Sequence, residues 1–270
     1  MKRHRWPLLS VLVFGYAFLY VPILLLIVYS FNESRLVTVW SGFSTKWYGE
    51  LLHNQQLLDA AWLSVRVAAT NATLAMILGT LAANALVRHG RFRGRTAFEL
   101  LLTAPLVMPD VIIGLSLLLL FVTLQQLIGW PDGRGFTTIT IAHITVSLAY
   151  VAVVVRSRLS QMDISLEEAA MDLGARPLVV YFRITLPLIA PSLLAGWLLA
   201  FTLSLDDLVV ASFVAGPGAT TLPMVVYSSV RMGVSPQINA LATLVVAIVS
   251  LAVVIAGISL RRGERRAAEG

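Results

Sequence analysis

Ser165-Leu166-Glu167-Glu168-Ala169-Ala170-Met171-Asp172-Leu173-Gly174, followed by Pro177 and then Ile184-Thr185-Leu186-Pro187, decides how this chain is read. It is the only long polar segment between two apolar spans that carries its own helical signals. Ser165 with Glu168 has capping-box spacing, so a helix is expected from about Leu166. Leu166, Ala169, Ala170 and Leu173 fall at i, i+3, i+4 and i+7, on one face. Glu167, Glu168 and Asp172 lie off that face and keep the segment out of lipid. Gly174 suits the left-handed residue that closes a helix, and Pro177 suits the first turn of the next one. A helix of about 8 residues is marginal alone in water. It must pack on something, and its alanines permit close approach.

The surrounding chain is apolar. Of 270 residues, 58% are hydrophobic and 13% charged, and the mean hydropathy is +0.83. Soluble domains carry about 25% charge, so this is the composition of a polytopic membrane protein. Six segments reach the roughly 20 residues needed to cross a hydrocarbon core: 8–30, 62–87, 97–125, 137–155, 187–213 and 238–260. The uncharged run from Trp6 to Asn32 is too long for a secretory h-region and is read as a retained span.

The net charge of +6 would fit nucleic-acid binding if it were clustered on a soluble face. Instead, 15 of the 20 Lys and Arg residues precede the first span, follow the second and sixth, or lie between the fourth and fifth. That bias places both termini and the 156–186 loop in the cytoplasm. Nucleic acid is not an expected partner. The chain has no Cys, so disulfides and thiolate metal sites are excluded. His4, His53, His89 and His143 show no metal-ligand spacing. No GxxxxGK[ST] motif is present, so no P-loop nucleotide site is expected. No fixed-period repeat is visible, and the chain reads as one all-α membrane domain.

The polar loop matches the EAA motif of permease subunits in binding-protein-dependent ABC importers. That pattern is EAA, three residues, Gly, nine residues and Ile-x-Leu-Pro. Here it is Glu168-Ala169-Ala170, Gly174, Ile184, Leu186 and Pro187, without departure. The chain also resembles the polyamine branch of that family. Tyr29-Ser30-Phe31-Asn32, Ala104-Pro105-Leu106-Val107-Met108-Pro109-Asp110, Phe201-Thr202-Leu203-Ser204-Leu205-Asp206-Asp207 and Gly216-Pro217-Gly218-Ala219-Thr220-Thr221-Leu222-Pro223 carry this likeness.

The resemblance implies a type I importer permease in the bacterial inner membrane, with six spans and a cytoplasmic coupling helix. Glu168, Ala169, Ala170, Asp172, Gly174, Ile184, Leu186 and Pro187 would form the ATPase-coupling element. It further implies two cytoplasmic ABC ATPase subunits that bind the ATP, with no cofactor on this chain. A second homologous permease chain would complete a heterodimer, and a periplasmic polyamine-binding protein would deliver cargo. Putrescine is the implied substrate, with spermidine as the alternative. An ion-coupled secondary transporter would need a use for the docking segment and often shows inverted repeats. A membrane enzyme would need a catalytic motif, and none is present.

Charges inside the spans are the remaining signal, because each costs about 2.5–3.5 kcal/mol at helix centre on insertion scales. Asp110 is expected near the middle of the third span, and Asp206 and Asp207 toward the outer end of the fifth. All three are candidates for a cation path. The alternatives give Asp110 a helix-capping role after Pro109 and pair Asp206 or Asp207 with Arg66. Glu99 reads as a snorkelling or capping group. Pro105 and Pro109 are expected to disturb the third span's hydrogen-bond ladder. The orientation has a direct check. A single Cys at Ala175 should be labelled only from the cytoplasm, and one at Gly218 only from outside. Labelling of Ala175→Cys from outside would invert the topology.

Overall fold

The structure, a computed structural model, describes residues 5–36, 39–90, 92–233, 235–248 and 250–251. It is helical, and its only β-type pairing among these residues is an isolated bridge between Asn32 and Phe43. The helices are α1 Arg5–Ser30, α2 Lys46–His53, α3 Gln55–Arg88, α4 Arg95–Thr103, α5 Asp110–Ile128, α6 Phe136–Gln161, α7 Ser165–Asp172, α8 Pro177–Val180, α9 Leu186–Leu205, α10 Val209–Val214, α11 Leu222–Met232 and α12 Pro236–Ile248. Five helical segments are long and apolar enough to cross a membrane: Leu9–Ser30, Gln55–Arg88, Asp110–Ile128, Phe136–Gln161 and Pro177–Leu205. The sixth expected span, 238–260, lies partly outside the described residues. Most of its described part belongs to the shorter apolar helix α12.

The chain divides into two compact units, Met1–Leu58 with Val226–Gly270, and Asp59–Val225. In the first, α1 is apolar on all sides, and Phe14, Phe18 and Leu19 are exposed. That is the surface of a helix whose solvent is lipid. After it, buried Asn32 folds the connection. Its side chain donates to the Val39 carbonyl at 2.8 Å and accepts from the Ser41 N–H at 3.1 Å. The Trp47 indole donates to the Asn32 carbonyl at 2.6 Å, fixing α2 beneath the loop.

The second unit is built on α3, α6 and α9. Ala72, Ala75, Ala83, Val151, Val155, Leu159, Ile189 and Ala200 form its buried seam. Lipid provides no hydrophobic drive between helices, so close packing of small residues has to supply the attraction. Gly79 and Gly196 both face Val151; a Cβ on Gly79 would lie 2.9 Å from it. Asn71 adds a polar tie, donating to Ser147 on α6 and to the Ala200 carbonyl on α9, each at 3.0 Å. A second cluster joins Val67, Phe121, Ile139, Val210 and Val214.

Two expected spans are broken. The third, expected as 97–125, is α4, a 3-10 turn Ala104–Leu106, an irregular stretch, and then α5. Pro105 and Pro109 cannot donate to a helical ladder, and Pro109 is extended (φ −60°, ψ 137°). Asp110 therefore opens α5 instead of lying in mid-helix, and Pro109 occupies the position preceding it. The fifth, expected as 187–213, starts earlier and is interrupted. A continuous helical run begins at Pro177, passes through a π-turn at Tyr181–Thr185, and ends at Leu205. Residues 206–208 are irregular, and α10 follows.

The π-turn has a physical reason. In an α-helix the Pro187 ring would press on the Arg183 carbonyl. The Leu186 N–H instead reaches back to the Tyr181 carbonyl, five residues earlier, and this wider turn makes room. The 156–186 loop is also more helical than expected, since α6 continues to Gln161 and helix resumes at Pro177.

Candidate functional site

The helix breaks, together with α6, line an open cavity of about 310 Å³. Asp110, His143, Ser147, Tyr150, Ser204, Asp206 and Asp207 supply its polar lining, and Val146 and Leu203 are among its apolar walls. All three aspartates singled out from sequence therefore meet in one place. Gly114, one turn beyond Asp110, is what allows it. A Cβ there would lie 2.6 Å from Phe213, so its absence lets α5 lie against α10. Asp110 is thereby carried to the 206–208 break.

The adjacent aspartates have different surroundings. Because 206–208 is not helical, the divergence of about 100° between adjacent side chains on a helix does not describe them. The Asp207 carboxylate accepts the backbone N–H of Val210 at 3.3 Å and of Ala211 at 2.7 Å, capping α10. His143 Nε2 lies 3.1 Å from the same carboxylate, and His143 Nδ1 lies 2.6 Å from Ser204 Oγ. One tautomer satisfies both contacts: Nε2–H donates to Asp207, and Nδ1 accepts the Ser204 hydroxyl proton. His143 is 3% exposed and Ser204 is 6% exposed, so both contacts are largely shielded from bulk water.

Asp206 and Asp110, by contrast, are exposed. The Arg–carboxylate pairs among the described residues are Arg88–Glu167 and Arg156–Glu99, and the His143 imidazole contacts Asp207, so no protein cation sits on either Asp206 or Asp110. The alternative pairing of Arg66 with Asp206 or Asp207 is not formed. Arg66 lies 4.9 Å over the Phe136 ring, a cation–π contact. Glu99 is not a lone snorkelling group either, because it pairs with Arg156 and ties α4 to α6.

The 165–187 segment forms the second feature. Helix α7 begins at Ser165 and has no buried residue. Its start is held by Asp163, which accepts the Ser165 N–H at 3.0 Å, so the Ser165–Glu168 capping box is not used. Hydrogen bonding from the Ser165 backbone, then from its hydroxyl, holds the exposed Asp163 carboxyl below its ordinary pKa. Gly174 closes the helix at φ +90°. The N–H groups of Gly174 and Ala175 return to the Met171 and Ala170 carbonyls, giving the two-bond C-terminal motif of a left-handed cap. Leu166 and Leu173 are 49% and 90% exposed, which leaves an apolar strip uncovered by this chain. Glu168, Ala169, Asp172, Gly174 and Pro187 are exposed, while Ala170, Ile184 and Leu186 are half-buried.

Two features escaped sequence reasoning. His143 lies in an apolar helix 64 residues from Asp207, and nothing local marks it. Glu167, next to the motif Glu168, is the carboxylate that makes internal contacts.

The family of binding-protein-dependent transport system inner membrane components matches residues 75–269. The chain belongs to that family. It is 61% identical over 264 residues to the putrescine transport system permease protein PotI of Escherichia coli (strain K12), covering 98% of this chain and 94% of that protein. It is 45% identical over 255 residues to the spermidine/putrescine transport system permease protein PotC of the same strain, covering 94% of each. A bacterial ABC transporter involved in import of the acidic polysaccharide alginate shares the fold, with a TM-score of 0.73 at 18% identity, covering 96% of this chain and 97% of that one. The MetNI methionine transporter superposes with a TM-score of 0.59 at 16% identity over 77% of this chain and 95% of that one. The chain is therefore a type I ABC importer permease.

Removing the imidazole separates the two kinds of aspartate. His143→Leu should leave the Ser204 hydroxyl without its partner and remove one of three donors to Asp207, costing about 1–3 kcal/mol for the orphaned hydroxyl. Its thermal unfolding midpoint in detergent should fall well below that of Asp206→Asn, which should match the parent. Equal midpoints for His143→Leu and the parent would contradict this assignment.

Proposed function

We propose that this permease carries polyamine, putrescine foremost, and that Asp110 and Asp206 form its cation-binding pair. The observation that carries this is two exposed carboxylates in one cavity with no protein cation on either. Carboxylates at membrane depth are stable when a countercharge faces them. Putrescine supplies two ammonium groups joined by four methylenes. One ammonium would meet Asp206 and the other Asp110, while Val146 and Leu203 offer apolar contact to the stem. Tyr150 adds an aromatic face for a cation. Asp207 serves the same site indirectly, as the fixed end of α10. The 61% identity to a putrescine permease supports the diamine over the longer spermidine.

Family membership and charge bias support the remaining roles. Both termini and α7 face the cytoplasm. The exposed strip of α7 docks on one of two ABC ATPase subunits, which bind the ATP. A second, different permease chain completes the pathway, and a periplasmic binding protein delivers the cargo. ATP-driven closure of the ATPases moves α7, and the α8–α9 run carries that movement toward the cavity.

The test is uptake of labelled putrescine by the reconstituted complex. Asp206→Asn and Asp110→Asn should each lower uptake by about tenfold or more, equivalent to about 1.4 kcal/mol, with normal complex yield. Excess putrescine should compete better than excess spermidine, and a diacid of similar length should not compete. Parental uptake in both Asn variants would remove the pair from the pathway.

A further inference from the structure

Beneath α7 lies a groove of about 560 Å³, among whose lining residues are Arg88, Glu167, Tyr181, Phe182 and Thr185. One carboxylate oxygen organises it. Glu167 Oε1 lies 3.1 Å from the Arg88 guanidinium at the end of α3, and the Thr185 hydroxyl donates to the same oxygen at 2.9 Å. Three elements meet there: the last residue of α3, the first turn of α7, and the final residue of the π-turn that leads into α9. The charged side chains are each 13% exposed, and Thr185 is 2% exposed. Such a pair is screened far less than a surface pair. Breaking it would leave an uncompensated, largely buried charge.

Helix α7 contributes no buried residue to the fold, so ordinary core packing does not hold it. It packs mainly against its short neighbour α8 and the π-turn. Helix α3 runs 34 residues, about 51 Å, which exceeds a hydrocarbon core of about 30 Å. Its length lets it extend beyond that core, and the Glu167 contact sets its end at Arg88 against α7.

We infer that Glu167 is the positioning residue that transmits α7 movement into the spans, by pinning α7 to α3 through Arg88 and to α9 through Thr185. The exposed Glu168 beside it is left for the partner. This inference rests on the proposal that α7 docks on an ATPase. It adds that the drive reaches two spans at once, through a contact of opposite charges. Pull on α7 then moves the cytoplasmic end of α3 together with the base of α9, while a free α7 would swing on its two linkers.

The experiment uses the complete complex of both permeases, the ATPase subunits and the binding protein, reconstituted in liposomes. It reads putrescine taken up per ATP hydrolysed, and separately the ATPase that co-purifies. Glu167→Gln should retain parental ATPase in the complex and lower the transport-to-hydrolysis ratio by about fivefold or more, the low end of a coupling between sites. Thr185→Val removes one arm without stranding a charge and should lower the ratio in the same direction. The reversal Arg88→Glu with Glu167→Arg should recover at least half of the parental ratio. A parental ratio in Glu167→Gln and Thr185→Val, with ATPase bound, overturns the inference alone. A fall in complex yield with no change in ratio also overturns it, since that is a structural role only. Absence of ATPase from the parental complex removes the docking proposal, and the inference with it.

Discussion

A broken helix at membrane depth leaves backbone N–H groups that water cannot reach, and each must find a partner within the protein. At 206–208 the partner is Asp207. Its carboxylate accepts from Val210 and Ala211 and is itself held by His143, which is held by Ser204. The chain can therefore leave α9, turn, and enter α10 with these N–H groups paired. Everything particular about the cavity depends on this arrangement. It frees the carboxylate of Asp206 from structural duty and fixes α10 where Phe213 can pack on Gly114. It thereby brings Asp110 to the same place. The break before α5 follows the same logic with prolines, which have no N–H to satisfy.

The two functional features lie at opposite ends of one helical run. Pro177–Leu205 starts beside α7 and ends at the Asp206 break, with the π-turn near its base. From Leu186 to Leu205 the rise is about 30 Å. A tilt imposed at the π-turn would be felt at the cavity, because Gly196 and Ala200 pack closely along α6 and α3 in between. Tight small-residue seams move as bodies and do not deform gradually. Under the proposed function, this is how a docking event in the cytoplasm would change which side the cavity opens to.

Much of this was legible in the sequence, for reasons that differ by element. The α7 segment could be read turn by turn because its signals are local: Gly174 is left-handed, and Pro177 opens the next helix as expected. Its N-terminal cap differs from the Ser165–Glu168 spacing because Asp163, two residues before Ser165, takes the Ser165 N–H. Pro105 and Pro109 announced the break in the third span. The break at 206–208 had no Pro or Gly to mark it, only two adjacent carboxylates in an apolar run. Their unequal roles were invisible, since the difference is made by His143 and Ser204 on other turns and helices. Arg88 and Glu167 are 79 positions apart, and their pairing likewise exists only in the folded chain.

The most direct measurement is a cryo-electron microscopy structure of the assembled importer trapped with putrescine in the permease. The account predicts density for an extended diamine in the cavity, with one ammonium on Asp206 and the other toward Asp110, while Asp207 still accepts from His143 and caps α10. A diamine bound outside this cavity, or an ammonium that has displaced His143 from Asp207, would contradict it.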